Sequence, residues 1–270
     1  GFQVDAFAAC MDKIVTRKFN KCVPGNNIYG GYGTLSKLLP HTSIEPFLFW
    51  RRQSGVKSEA GPLGVMNQAT IGFHWSVKPA KGIDYDVEMA RQAGSVGSDS
   101  ISAWAGHWVA GYTFMNSRHK PRVFSEFDYA SGDSNAADGT RATFDQIYPS
   151  GHDLYAMTDQ IGLKNIEMIR EGLEFTPAAK WRLTAKYGSY WLANTHDALY
   201  SGASAALARS AAGTAGRWVG QELDFVAAYN YNKRTAFSAG FGHLFPGTFL
   251  KNTTPAVGYN YPYAAITYAF

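Results

Sequence analysis

Hydrophobic and polar residues alternate along most of this chain. In segment 67–78 the odd positions from 71 onward are Ile, Phe, Trp and Val, whereas the even positions from 70 onward are Thr, Gly, His, Ser and Lys. Segments 83–89 and 181–188 alternate in the same way. A period of two residues is typical of a β-strand with one apolar face, and helical periodicity is almost absent. The pattern therefore predicts an all-β fold.

The alternating segments predict about twelve strands, most of them about ten residues long. A strand in a soluble β-sandwich usually has about five or six residues, whereas a tilted strand needs about ten to cross a bilayer. We therefore expect an antiparallel transmembrane β-barrel of the bacterial outer membrane. The predicted strands are residues 2–10, 27–35, 43–53, 67–78, 83–94, 101–114, 121–131, 166–177, 181–193, 218–229, 234–245 and 261–270.

The connections between these strands are predicted to alternate in length, because outer-membrane barrels have short periplasmic turns and longer extracellular loops. The expected long connections are 11–26, 54–66, 132–165, 194–217 and 246–260, and the expected short ones are 36–42, 79–82, 115–120, 178–180 and 230–233, whereas 95–100 fits poorly. On this rule residues 1–270 form one barrel domain with a periplasmic C-terminus. The longest connection, 132–165, is expected either to lie on the extracellular side or to fold inward and constrict the pore.

The composition of the chain agrees with a barrel. Charged residues make up 17% of it, below the roughly 25% of ordinary soluble domains. It contains no run of about 18 apolar residues that could span a membrane as a helix. The net charge is +4, with acids and bases interspersed and no basic tract, so we expect no nucleic-acid partner.

Aromatic residues favour the same interpretation. The last predicted strand alternates and ends on Phe270, which resembles the C-terminal signal of bacterial outer-membrane barrels. Aromatics near strand ends are typical of the girdles at the two membrane interfaces, with ordinary core aromatics as the alternative. The candidates are Trp50, Trp104, Trp108, Tyr129, Trp181, Trp191 and Trp218.

The two cysteines, Cys10 and Cys22, lie close together in the sequence. In an oxidising compartment they either close one short loop by a disulfide or remain two unpaired thiols, because sequence alone does not fix the required geometry. No secretory signal is present, so either it has been removed or the start of the chain is missing.

Several short segments occur in an order and spacing that point to a family. The segment Phe127–Gly139 (FDYASGDSNAADG) leads into Thr143–Pro149 (TFDQIYP). These are followed by Asn165-Ile166, Leu173–Pro177, Asp197–Tyr200, Gly220–Asp224 and Gly240–Gly247. Together the segments resemble the alginate export family of outer-membrane porins. The resemblance runs from about residue 67 to the end, and less clearly from Gly1.

This resemblance implies a monomeric barrel of about eighteen strands that passes polysaccharide or other small solutes. The predicted strands fall short of that number, and the chain starts directly on the strand-like segment 1–7. Either an N-terminal truncation has removed roughly six strands, or the chain is a complete and narrower barrel. The resemblance implies a channel for a hydrophilic or anionic solute, with outer-membrane lipid and lipopolysaccharide around it.

In such a barrel the polar face of each strand lines the pore. Parity places on that face Glu45, Arg51, Asp84, Asp86, Glu88, Arg122, Glu126, Asp128, Arg170, Glu174, Arg182, Lys186, Glu222 and Asp224. A pore for a polyanion should present Arg and Lys, which hold carboxylates through charge and hydrogen bonds. Acids outnumber bases in this set, which argues against an alginate-like solute.

The basic residues of three consecutive strands are the candidates for solute contact, namely Arg122, Arg170, Arg182 and Lys186. Acids lie beside them in the same ladder, namely Glu126, Asp128 and Glu174. The alternative is that these charges pair across the strands and stiffen the wall.

One patch in the longest connection is a candidate for calcium. Asp133, Asn135 and Asp138, followed by Gly139, offer the oxygen ligands that Ca²⁺ prefers. Their spacing is not that of an EF-hand loop, and Asp-Gly and Ser-Gly also make turns without a metal. No other cofactor is expected.

Two functional classes other than a channel are alternatives for an outer-membrane barrel. Some outer-membrane barrels hydrolyse lipid with a Ser and a His, but the seven His residues here lie in no nucleophile or metal-ligand motif, so we expect no enzyme. The other class is a scaffold or docking subunit that binds other envelope proteins.

Glu171 is an exception to the apolar outer face expected of a barrel. The alternation places this carboxylate on the lipid face, between Ile169 and Leu173.

Overall fold

In a computed structural model of the chain, residues 1–13, 16–17, 19–36, 39–59, 61–150, 152 and 155–270 are described. Strands dominate these ranges. They are β1 (Phe2–Lys13), β2 (Lys21–Leu35), β3 (Thr42–Lys57), β4 (Leu63–Val77), β5 (Ile83–Val96), β6 (Asp99–Thr113), β7 (Arg122–Ala130), β8 (Thr140–Arg141), β9 (Ile166–Phe175), β10 (Trp181–Leu192), β11 (Ala198–Tyr200), β12 (Ala206–Arg209), β13 (Trp218–Asn230), β14 (Thr235–Pro246) and β15 (Tyr259–Tyr268). A short helix, α1, spans Thr248–Thr253.

The long strands form one antiparallel sheet in chain order, β1-β2-β3-β4-β5-β6-β7-β9-β10-β13-β14-β15. Each predicted strand corresponds to one of them, so the predicted fold class is confirmed. Within the described ranges β1 and β15 do not pair with each other, so the sheet is open. Sequence periodicity missed β8, β11, β12 and α1, because these elements are too short to show it.

The long connections gather at one end of the sheet, but only in the C-terminal half. Residues 131–165, 193–217 and 247–258 lie at this end, which we call the loop end, and we call the opposite end the turn end.

The expectation of long connections at 11–26 and 54–66 is wrong. β1 pairs with β2 as far as Lys13 and Lys21, and β3 pairs with β4 as far as Lys57 and Leu63, so strand pairing takes up much of both segments. These hairpin ends carry polar residues and glycine, which hides the alternation that marked the other strands.

Alternation gives the sheet two faces. Side chains such as Glu45 and Phe47 point to the face that we call inward, and Leu48 and Trp50 point to the outward face, where they are about half exposed. Outward aromatic pairs near the loop end are Tyr29–Trp50, Trp104–Tyr129 and Trp191–Trp218, with ring centroids 5.7, 4.4 and 4.8 Å apart. Near the turn end Trp181 lies 4.9 Å from Tyr229. Aromatics at both ends of an apolar wall are typical of a barrel in a membrane.

Glu171 lies on the outward face, as the parity of β9 predicts. Its carboxylate accepts a hydrogen bond from Ser125 Oγ at 2.8 Å. The pairing of β9 with both neighbours is regular at this point, so no bulge turns the side chain away. Ser125 therefore satisfies one oxygen of a carboxylate on the wall that faces lipid.

A disulfide joins Cys10 on β1 to Cys22 on β2, with the two Cα atoms 5.6 Å apart. It lies beside the register shift between Cys10 and Asp12. Of the two alternatives that the sequence left open, the structure has the disulfide. It ties together the loop end of the first hairpin.

No helix in the part of the chain that the structure describes is long and apolar enough to cross a membrane, and α1 has six residues.

Candidate functional site

Charged side chains of the inward face lie in rows across the strands. Glu45 on β3 lies opposite His74 on β4, and His74 lies opposite Glu88 on β5. Glu88 lies opposite His107 on β6, and His107 lies opposite Asp128 on β7. We call these five residues the inner row. Carboxylates and imidazoles alternate along it over five neighbouring strands.

Hydrogen bonds fix the β3 end of the inner row. His74 lies 2.8 Å from Asp86 through Nε2 and 3.3 Å from Glu45 through Nδ1. Tyr32 on β2 donates its hydroxyl to Glu45. Both nitrogens of the His74 ring are therefore held by carboxylates.

The residues in the middle of the inner row make fewer hydrogen bonds than those at its β3 end. His107 Nδ1 lies 2.6 Å from Asp128 Oδ1. Glu88 makes no hydrogen bond or ion pair with any residue that the structure describes, and it is exposed on the inward side. The row thus presents one carboxylate without a bonded partner at its centre.

Arg170 on β9 is a buried cation between two buried carboxylates. Its Nη2 donates to Glu126 and lies 3.4 Å from Asp128 Oδ2, and the exposed fractions of the three side chains are 3%, 9% and 0%. A buried charge needs such partners, because an unpaired one carries a large desolvation cost. Arg170 is therefore bound to the wall, as the pairing alternative predicts.

Arg122 on β7 is paired in the same way near the turn end. Its guanidinium contacts both oxygens of Asp84, at 3.1 and 2.5 Å, and lies 3.6 Å from Glu174. A bidentate arginine–carboxylate pair fixes the planes of both groups. Arg122, a candidate for solute contact, and Glu174, its acidic neighbour in the predicted ladder, are thus brought together in a cross-strand cluster.

Arg182 and Lys186 on β10 differ from these two arginines. Arg182 is exposed and Lys186 is half-buried, and neither forms an ion pair within the described ranges. Lys186 lies opposite Asp224 on β13. Of the four predicted basic residues, these two keep a charge that a solute could meet.

We call the connection 131–165 the inner loop, and its described residues lie against the inward face. Asp145 of this loop forms an ion pair with Arg51 on β3 and lies 3.6 Å from Lys164. The backbone N–H of Asp145 donates to Gln92 Oε1 at 2.8 Å, and Gln92 Nε2 donates to the Asp145 carbonyl at 2.7 Å. Side chains of β3 and β5 therefore hold one side of the inner loop.

The other side of the inner loop is held by later strands. Thr158 donates to the Glu222 carboxylate on β13 through its hydroxyl and through its backbone N–H at 3.0 Å. Tyr190 on β10 donates its hydroxyl to the Tyr155 carbonyl at 3.2 Å. One loop reaches strands from β3 to β13 only if the sheet curls around it, so the inward face is concave.

Apolar contacts fill the space between the inner loop and the wall near the loop end. Phe144 and Ile161 of the loop are at least nine-tenths buried, as are Met168 and Tyr190 of the wall. They belong to one hydrophobic cluster, which includes Phe249 of α1. The inner loop is thus packed against the concave side. That it constricts a pore stays a prediction.

A cavity of about 250 Å³ remains between the inner loop and the inner row. Wall residues Glu88, His107 and Glu126 line one side, and Phe144 and Tyr155 line the other. Burial raises the pKa of the Tyr155 phenol, which therefore stays protonated at neutral pH.

The three predicted calcium residues act as turn formers in the structure. Asp133 accepts hydrogen bonds from the backbone N–H groups of Asn135 at 2.8 Å and Ala142 at 3.3 Å. Asn135 and Asp138 likewise accept from the N–H groups two residues later, at 3.3 and 2.8 Å. Such side chain–backbone bonds occur without a metal. Calcium at this patch stays a prediction.

Within the described residues, His107, Glu126 and Asp128 have potential metal-ligand atoms within 4.8 Å of one another. Arg170 already contacts both carboxylates. Its guanidinium supplies the positive charge that a metal ion would bring, so we interpret the group as an ion-pair cluster.

Sequence reasoning missed the histidines of this site. It searched for nucleophile and metal motifs, and neither His74 nor His107 belongs to one. The available signal was parity, which places both on the polar face of their strands. The contact of Arg51 with Asp145 gave no signal, because the two residues are 94 positions apart.

Comparisons with known proteins bear on what the chain is. A search of curated protein sequences gave no match. Among solved structures, the NanC porin aligns with a TM-score of 0.43 and 9% identity over 90% of this chain and 94% of that one. The toluene transporter TodX of Pseudomonas putida aligns with a TM-score of 0.43 and 9% identity over 100% of this chain and 78% of that one. OmpT of Vibrio cholerae aligns with a TM-score of 0.36 and 8% identity over 99% of this chain and 96% of that one.

The sequence model of the alginate export family matches residues 31–263, a range that includes the whole inner row and the whole inner loop. Since this match covers most of the chain, the chain belongs to the alginate export family and is an outer-membrane transport channel.

Proposed function

We propose that this channel passes a hydrophilic solute between the inner row and the part of the wall that the inner loop leaves open, and that its lining favours cations. The observation that carries the proposal is the charge of the inward face. The acids there include Glu45, Asp84, Asp86, Glu88, Glu126, Asp128, Glu174, Glu222 and Asp224, and the bases include Arg51, Arg122, Arg170, Arg182 and Lys186.

Ion pairs remove charge of both signs from this face, since each paired base also occupies a carboxylate. Arg51, Arg122 and Arg170 each contact an acid, so little of their charge is offered to a passing ion. Glu88 has no such partner among the described residues. Carboxylates that line a pore favour cations, and the effect is largest where water is partly excluded.

An anionic solute is the second candidate. Arg182 and Lys186 support it, because both lie on the inward face and form no ion pair in the described part of the chain. They lie on one strand only, whereas the acids extend from β3 to β13.

We further propose that the loop end is extracellular and that the C-terminus is periplasmic. The support is the grouping of the three long connections at one end, which is usual for the outer side of such barrels. We expect outer-membrane lipid and lipopolysaccharide against the outward face, and no catalytic activity.

Single-channel recording in planar bilayers tests the proposed function. We expect stable conductance from the folded, heat-modifiable protein. We also expect Lys186→Gln to increase cation preference, because it removes an unpaired positive charge. A folded protein that never conducts would contradict the channel and would favour a scaffold, for which the packed inner loop is the supporting observation.

A further inference from the structure

We propose that the cavity between the inner row and the inner loop binds the protonated amine of a small solute. This inference rests on the proposed function for its role in transport, since it names the chemical class of the solute. The binding itself depends only on the folded chain.

The wall side of the cavity offers acceptors for an ammonium group. Glu88 is the lining carboxylate without a hydrogen-bond or ion-pair partner among the described residues. His107 also lines the cavity, with its Nδ1 2.6 Å from Asp128 Oδ1. An ammonium has several N–H donors, and its bond to a charged carboxylate such as Glu88 is stronger than a bond to a neutral acceptor.

The loop side of the cavity offers aromatic rings. Phe144, which is 7% exposed, and Tyr155 line the cavity opposite Glu88. A cation near an aromatic face is stabilised by the ring quadrupole, more so where water is excluded. Glu88 on the wall and the two rings on the loop together suit an ammonium group, and none of the described lining residues is an arginine or a lysine.

The size of the cavity limits the ligand. Its volume is about 250 Å³, equal to about eight water molecules at roughly 30 Å³ each. This admits one sugar ring or a short aliphatic amine. A divalent metal fits less well, because Arg170 already contacts the carboxylates of Glu126 and Asp128.

Equilibrium binding to the detergent-solubilised protein tests the proposal. Isothermal titration would compare glucosamine with glucose and N-acetylglucosamine, which share its ring but lack the ammonium. We expect measurable binding of glucosamine alone. Equal binding of the three sugars, or no binding of glucosamine, would overturn the proposal.

Two variants locate the site. Glu88→Gln should weaken glucosamine binding at least tenfold, because the bond to the charged carboxylate is lost. Phe144→Leu should weaken it about two- to fivefold through the lost ring. Asp5→Asn is the matched control: Asp5 lies opposite Tyr32, away from the cavity, and should leave binding within about twofold. Binding that survives both cavity variants would place the amine elsewhere.

The outcomes separate this inference from the proposed function. Binding of glucosamine without conductance would support the cavity site and contradict the channel. Conductance without binding of glucosamine would support the channel and contradict the cavity site. Heat-modifiable mobility of each variant shows that it is folded.

Discussion

Arg170 shows how a single residue can be fixed by its surroundings. It is nearly fully buried, and its guanidinium lies between Glu126 and Asp128. From the sequence, its charge and its place on the polar face of the strand made Arg170 a candidate for solute contact. Burial and partners, which a sequence does not show, indicate that it stabilises the wall.

The stability of Arg170 variants tests this interpretation. Arg170→Met removes the guanidinium that contacts two buried carboxylates, so we expect a loss of about 3–5 kcal/mol in the free energy of unfolding. Urea unfolding in detergent measures it. Arg182→Met, at an exposed position, should change stability by less than about 0.5 kcal/mol.

A compensating variant controls for that loss. Adding Glu126→Gln and Asp128→Asn to Arg170→Met removes the uncompensated charges and should restore much of the stability. Equal losses for Arg170→Met and Arg182→Met would contradict the assignment.

Glu59 gives a pH-dependent prediction outside the membrane wall. Burial, together with the hydrogen bond and charge of Asp133, raises the pKa of the Glu59 carboxyl. Between the ordinary pKa of Glu and the raised value, the folded protein holds a proton that the unfolded chain has lost. Stability must therefore fall as pH rises through that window.

Glu59→Gln should remove this dependence. We expect the variant to unfold at a higher temperature than the parent protein at pH about 7, and to match it at pH about 4. Asp12→Asn, in the first hairpin, serves as the control and should leave the pH profile of the parent protein unchanged. A variant that is less stable than the parent at neutral pH would show that Glu59 stabilises the loop as an anion.

At the scale of elements, the inner loop lies across the concave side, and we propose that it limits how much of this side stays open. Asp145 bonds to Arg51 and Gln92 on one side, and Thr158 bonds to Glu222 on the other. These bonds cross the concave face. The loop is therefore held at both sides by strand residues.

Releasing the inner loop should enlarge the channel. Asp145→Asn combined with Thr158→Val removes the ion pair with Arg51 and the hydroxyl bond to Glu222, so we expect higher single-channel conductance and greater current noise. Asp138→Asn, on an exposed stretch of the same loop, should leave conductance unchanged. Identical conductance for all three proteins would show that the loop does not limit the pore.

Sequence periodicity predicted the long strands well and the connections less well. Strand alternation depends on local pattern, and it placed Glu45, Glu88 and Asp128 on the inward face. Cross-strand rows depend on register, and the inner loop depends on contacts between distant residues such as Arg51 and Asp145. Neither leaves a local pattern, so the cavity beside the inner row could not be predicted.

For the whole molecule, the proposed orientation can be tested by labelling. The disulfide uses both cysteines, so an introduced cysteine is the only free thiol. Ala203→Cys at the loop end should react with a membrane-impermeant maleimide on intact cells. Asn116→Cys at the turn end should react only after the outer membrane is opened. The reverse result would place the loop end in the periplasm.

We propose that acidic side chains set the selectivity of this outer-membrane channel. The most direct test is the reversal potential of the open channel under a potassium chloride gradient. We predict a potential displaced toward the potassium equilibrium value, and a smaller displacement for Glu88→Gln combined with Glu45→Gln. A potential displaced toward the chloride value, and reduced by Lys186→Gln, would contradict the account and indicate an anion-selective pore.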